Sequence, residues 1–118
     1  MSGQRSILVV EDEPLIAMML GDFLETLGHR VHASCDSVGD AMGAAEQGGF
    51  DIAILDVNLG GENAWPVARK LREKQIPFVI ATGGHVEPPP AEFANVPVIE
   101  KPYTVDRVTP ALEAALAG

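Results

Sequence analysis

The sequence predicts an α/β fold: a doubly wound, five-stranded parallel sheet with helices on both faces. Two observations carry the prediction. Short apolar runs without helical period, such as "ILVV" and "IAIL", alternate along the chain with stretches whose apolar residues recur every three or four positions. Strands alternating with helices in this way build a parallel sheet covered on both faces. At 118 residues the chain suffices for one such domain, spanning 1–118, and no output domain is expected.

The first strand, "SILVV" (Ser6 to Val10), stops at Glu11, Asp12 and Glu13. Pro14 follows where a first helical turn tolerates it, and Ile16, Leu20, Phe23, Leu24 and Leu27 keep helical spacing until Gly28 ends the helix. "RVHASC" is a second strand, with Val31, Ala33 and Cys35 alternating onto one face. In "SVGDAMGAAEQGG", Ser37 and Asp40 are spaced like a weak capping box, and Gly48 and Gly49 terminate the helix. A third strand runs from Ile52 to Leu55 and reaches Asp56.

"NAWPVARKLREKQ" is the third helix, with Trp65, Ala68 and Leu71 facing inward, and "PFVIAT" is a fourth strand ending at Thr82. "VPVIE" is the fifth, running into Lys101 and Pro102. "TVDRVTPALEAALAG" forms the last helix, with Val105, Val108, Leu112 and Leu116 on one face; Pro110 lies early in it or kinks it. Between Thr82 and Val96 the alternation calls for a helix, yet "GGHVEPPPAEFAN" carries three consecutive prolines, which lack backbone donors. Only Ala91 to Ala94 can form about one turn, so a mostly irregular, mobile loop is expected.

Composition excludes several functions. Eight basic residues against 17 acidic ones give a formal charge of -9, which disfavours nucleic acid and anionic membrane as partners and favours proteins or cations. Cys35 has no partner cysteine, no charged-then-apolar leader precedes the first strand, and no apolar run approaches the ~20 residues that cross a bilayer. A cytoplasmic protein is expected. Cys35 reads as a small apolar packing residue, and His29, His32 and His85 lack a metal-ligand arrangement. Trp65 reads as a helix-packing residue, Phe93 as a loop anchor, Asp106 and Arg107 as surface charges, and Tyr103 as the edge of an output face.

In an open parallel sheet, ligands bind outside the carboxyl ends of the strands. That edge receives Glu11 and Asp12 after the first strand, Asp56 after the third, Thr82 after the fourth and Lys101 after the fifth. Carboxylates 4 Å apart repel by about 4 kcal/mol at an effective dielectric of ~20, so a cation is expected among them. Hard oxygen ligands without thiolate or imidazole favour Mg²⁺. A lysine and a hydroxyl beside such a metal suit a phosphoryl group.

Over essentially its whole length the chain resembles a response-regulator receiver domain, through "ILVVEDEP", "DIAILDVNLGG", "VIATGG" and "IEKPY". The resemblance implies a CheY-like, stand-alone receiver with strand order 2-1-3-4-5, working in a two-component system or phosphorelay. It implies that Asp56 accepts a phosphoryl group from the phosphohistidine of a sensor histidine kinase or histidine phosphotransfer protein. It further implies that Glu11, Asp12, Asp56 and the main-chain carbonyl of Asn58 hold Mg²⁺, and that Thr82 and Lys101 contact the phosphoryl oxygens. The Lys101–Pro102 bond would be cis, and the signal would leave through an unknown downstream protein, or the domain would serve as a phosphate sink. Such a domain is a phosphoacceptor with its own phosphorylation and dephosphorylation chemistry, not a turnover enzyme.

Where many receivers carry a switching aromatic, this chain has Val98. "PFVIATGG" is partly similar to an alphaproteobacterial subgroup with a Phe-Ala-Thr-Gly motif, which suggests that phosphorylation orders Gly83 to Asn95 in place of an aromatic swing. Two other functions compete. A phosphorylation-independent binding module has no need to gather three acids with a lysine and a hydroxyl. A Mg²⁺-dependent phosphohydrolase would carry an Asp-x-Asp signature, but Asn58 stands two residues beyond Asp56.

Overall fold

Apolar residues that cannot face water on either side set the centre of the molecule. Strands β1 (Ser6–Val10) and β3 (Ile52–Asp56) are buried at every residue. The computed structural model describes residues 4–83, 89–101 and 103–117. Helix α1 (Pro14–Thr26) and strand β2 (Arg30–Cys35) follow β1, and helix α2 (Val38–Gln47) leads into β3. Two-residue strands β4 (Asn58–Leu59) and β5 (Glu62–Asn63) precede helix α3 (Trp65–Glu73). Strand β6 (Phe78–Thr82), strand β7 (Val98–Glu100) and helix α4 (Val105–Ala117) complete the chain. The main sheet has the order β2-β1-β3-β6-β7, every pairing parallel. With the small hairpin set aside, this is the expected order 2-1-3-4-5.

Each face of the sheet carries its own core. Leu8, Val10, Leu55, Phe78 and Ile80 face α2 and α3, packing with Ala41, Ala45, Val67, Ala68 and Leu71. Ile7, Val9, Ile54, Val79 and Ile99 face α1 and α4, packing with Leu20, Leu24, Val108 and Leu112. At ~25 cal/mol per Å² of apolar area removed from water, these two layers supply the main drive to fold.

Several local expectations hold and others need correction. Ser37 Oγ accepts from the Asp40 amide at 3.1 Å, so the cap of α2 is real. Gly48, at φ 66°, and Gly49, at φ 90°, turn the chain out of that helix. Val31, Ala33 and Cys35 do not share one face. The β1–β2 register slips between Ile7 and Leu8, so Val31 packs on the α1 and α4 side while Ala33 and Cys35 pack opposite. One extra residue in a strand reverses which face its later side chains take. In α3 the fully buried face is Val67, Ala68 and Leu71; Trp65 is half-buried at its start. Pro110 lies inside α4, in its second turn, on the exposed side.

Among the described residues of the crossover from β6 to β7, the helical element is a 3-10 turn, Ala91–Phe93. Phe93 is completely buried, stacked on Trp65 with centroids 5.6 Å apart, edge-on to Phe78 at 5.8 Å and beneath the Arg72 guanidinium at 4.8 Å. The reading of Phe93 as a loop anchor therefore holds. Residues 84–88, including Gly84 and His85, lie outside the described residues, and so does Pro102 with the expected cis bond.

Candidate functional site

Register delivers the site. Val10 pairs with Leu55, Asp56 with Ala81, and Thr82 with Glu100, so neighbouring strands end almost level. Glu11, Asp12, Asp56, Thr82 and Lys101 therefore reach the same sheet edge, as expected. One carboxylate oxygen from each of Glu11, Asp12 and Asp56 lies within 4.8 Å of the others. Glu11 is 1% exposed and Asp56 3%, while Asp12 is half-buried at the rim.

Such an arrangement needs positive charge, and Lys101 provides it. Its Nζ donates to Asp56 Oδ2 at 2.7 Å and lies 2.8 Å from Glu11 Oε1. Lysine thus bridges two of the three acids, a contact beyond the phosphoryl role that the resemblance implies. Burial pushes the Glu11 carboxyl above its ordinary range against the opposing pull of Lys101, with the Asp56 charge adding to the rise. For Lys101, burial acts downward, but the hydrogen bonds to Asp56 and Glu11 outweigh it and leave the ammonium above its ordinary value. Lys101 is a firmly charged counter-ion.

Main-chain amides orient the remaining oxygens. Asp56 Oδ1 accepts from Asn58 N–H at 3.1 Å, Asp12 Oδ2 from Gly60 N–H at 2.9 Å, and Glu11 Oε2 from Glu13 N–H at 3.2 Å. The first two donors belong to the β4–β5 hairpin, whose two-residue loop has φ of 59° at Gly60 and 89° at Gly61. Positive φ at both central positions is the mark of the tight hairpin turn that matches strand twist. Gly60-Gly61 is a recognised hairpin signal, so this ribbon was legible in the sequence but missed.

Tyr103 needs the largest reassignment. Expected at the edge of an output surface, it is 3% exposed, and its hydroxyl donates to Glu11 Oε1 at 3.3 Å. Burial first, then the charges of Glu11 and Asp56, push its phenol far above the usual range. No local pattern announces a contact between residues 92 positions apart. Thr82 ends β6 half-buried, with its carbonyl accepting the Lys101 N–H at 2.8 Å. Val98 is 47% exposed on β7, so no aromatic ring occupies that position. Cys35 is buried, its thiol pushed up chiefly by burial. An all-oxygen set of three acids, two of them buried, fits a hard divalent cation such as Mg²⁺.

Known proteins agree with this architecture. Residues 7–113 match the family model described as response regulator receiver domain. The chain is 30% identical over 115 residues to the transcriptional regulatory protein YkoG of Bacillus subtilis, covering 93% of this chain and 50% of YkoG. It is 40% identical over 78 residues to TcrA of Mycobacterium tuberculosis, covering 64% of this chain and 29% of TcrA. The chain thus spans half or less of these curated relatives. The solution structure of SdrG from Sphingomonas melonis Fr1 superposes with TM-score 0.87 and 52% identity, covering 98% of this chain and 99% of that one. A BeF3-activated conformation of SdrG, from Pseudomonas melonis Fr1, superposes with TM-score 0.79 over the same shares. The chain belongs to the response regulator receiver domain family of two-component systems, a signalling family and not a classical enzyme family. Among the described residues no helix is long and apolar enough to cross a membrane.

Proposed function

From family membership and the geometry of the acids, we propose that Asp56 accepts a phosphoryl group from the phosphohistidine of a sensor histidine kinase or histidine phosphotransfer protein. The observation that carries the proposal is Lys101 Nζ held 2.7 Å from an Asp56 carboxylate that lies in a cluster of three acids. Glu11, Asp12, Asp56 and the main-chain carbonyl of Asn58 hold Mg²⁺ in this reading. A Mg²⁺ ion held there would supply positive charge against the phosphoryl oxygens.

An Asp56 oxygen attacks phosphorus in line, the phosphorus–nitrogen bond breaks, and the imidazole leaves with the electron pair. Asn58 N–H holds Asp56 Oδ1, which leaves Oδ2, the oxygen beside Lys101 Nζ, as the attacking atom. Lys101 pairs with a phosphoryl oxygen, and the Thr82 hydroxyl donates to another. The BeF3-activated form described for SdrG supports this chemistry, since beryllofluoride bound to a carboxylate imitates an acyl phosphate. Leu15, 75% exposed, and Met18, 59% exposed, lie on α1 close in sequence to Asp12 and suit a protein partner better than a small substrate.

Intact mass after incubation with a small acyl phosphate, with Mg²⁺ or with chelator, tests the proposal. One phosphoryl adduct is expected in Mg²⁺, with none in chelator and none for Asp56→Asn. If neither the acyl phosphate nor a set of phosphorylated histidine kinases gives an adduct, the reading fails in favour of a phosphorylation-independent binding module.

A further inference from the structure

We infer that Tyr103 is a positioning residue for the acid site: its hydroxyl keeps the Glu11 carboxylate aimed at Asp12 and Asp56 when Lys101 leaves Glu11 for a phosphoryl group. This deepens the acceptor reading and rests on it. Glu11 Oε1 receives two side-chain donors, Lys101 Nζ at 2.8 Å and the Tyr103 hydroxyl at 3.3 Å, while Oε2 takes the Glu13 amide. The same Nζ holds Asp56, so it cannot stay on Glu11 and also follow a phosphoryl group growing outward from Asp56. Once Lys101 turns away, Tyr103 is the side-chain donor left on that oxygen among the described residues.

Water is a poor substitute there, because Glu11 is 1% exposed. The Tyr103 ring is held independently of Glu11, by packing in the core cluster with Ile99, Val108 and Leu112. Phenylalanine would fill the same volume, and the hydroxyl alone reaches the acid. A buried phenol needs a partner, and a metal-binding carboxylate needs a group to fix its direction; one hydrogen bond meets both needs.

The test titrates Mg²⁺ into wild type and Tyr103→Phe with beryllium fluoride present as the phosphoryl mimic that draws Lys101 from Glu11, following the amide resonances of residues 11–13 and 58–61. The half-saturating Mg²⁺ concentration is expected to rise roughly 10- to 100-fold in the variant. Saturating Mg²⁺ should then restore the wild-type rate of phosphorylation by a small acyl phosphate. An unchanged midpoint, with only the melting temperature lowered, overturns the inference and leaves Tyr103 a packing residue. Wild type that does not respond to Mg²⁺ defeats the acceptor reading itself, and the inference with it. Should Tyr103→Phe fail to fold, the wild type carries the test, because the chain has one tyrosine and a label on its ring carbon bearing the hydroxyl gives one resonance. That resonance should move as Mg²⁺ binds; if it stays fixed while the Glu11 and Asp12 amides shift, the inference fails.

Discussion

The two faces of the sheet are covered by different means. On one, α1 and α4 lay apolar stripes against β1, β3, β6 and β7, with Leu20, Leu24, Val108 and Leu112 as the buried contacts. On the other, α2 and α3 are full helices, and the described part of the β6–β7 crossover contributes a three-residue turn and Phe93. That side gathers Phe50, Phe78 and Phe93 into one core with Trp65 packed against it. A single large aromatic thus does for one strip of sheet what a helix does elsewhere, because Phe93 buries much apolar area on a short backbone. Polar clamps hold the turn in place: Arg69 meets Glu92 Oε1 at 2.9 Å, and Arg72 donates to the Glu92 carbonyl.

Truncating the anchor should break the comparison most severely. Phe93→Ala is expected to cost about 3–5 kcal/mol in urea unfolding, with red-shifted fluorescence from the single tryptophan, which loses its stacking partner. Leu24→Ala on the helical face should cost a comparable amount without moving that emission. Equal spectra for the two variants would show that Phe93 does not anchor the turn through Trp65.

On the helical face the weak point is Pro110, which lacks the N–H that an interior position of α4 would donate to Asp106. Pro110→Ala is expected to stabilise by about 1–3 kcal/mol, read as a higher urea midpoint at unchanged slope. A neutral or destabilising result would mean that the helix has already adapted around the proline. Weakest of all, Glu92→Gln should cost about 0.2–1 kcal/mol, diminishing in high salt, because both partners in the Arg69 pair are half exposed. A loss rivalling that of Phe93→Ala would reverse the ranking of anchor and clamp.

Much of the site was legible because its residues end strands. Glu11, Asp12, Asp56, Thr82 and Lys101 each follow a recognisable apolar run, and a parallel sheet sends all such ends to one edge. The hairpin after Asp56 could have been read from Gly60-Gly61, where both residues adopt positive φ. Nothing local marks the slip between Ile7 and Leu8, because Val31 and Ala33 are spaced as an ordinary alternating strand would space them. Tyr103 is a similar case: its spacing from Lys101 is visible, but its inward turn toward Glu11 depends on how α4 docks.

By itself the sequence determined the element types, the strand count of the main sheet and the set of charged groups at its edge. These follow from period, turn residues and chain order, which act over a few neighbouring positions. Tertiary structure alone decided that Lys101 bridges Asp56 and Glu11, that the Tyr103 hydroxyl meets Glu11, and that Phe93 is fully buried against the sheet. Those outcomes turn on distances between residues far apart in the chain. Burial there removes water as an alternative partner, and each polar or aromatic group settles on whatever the packed core brings within reach.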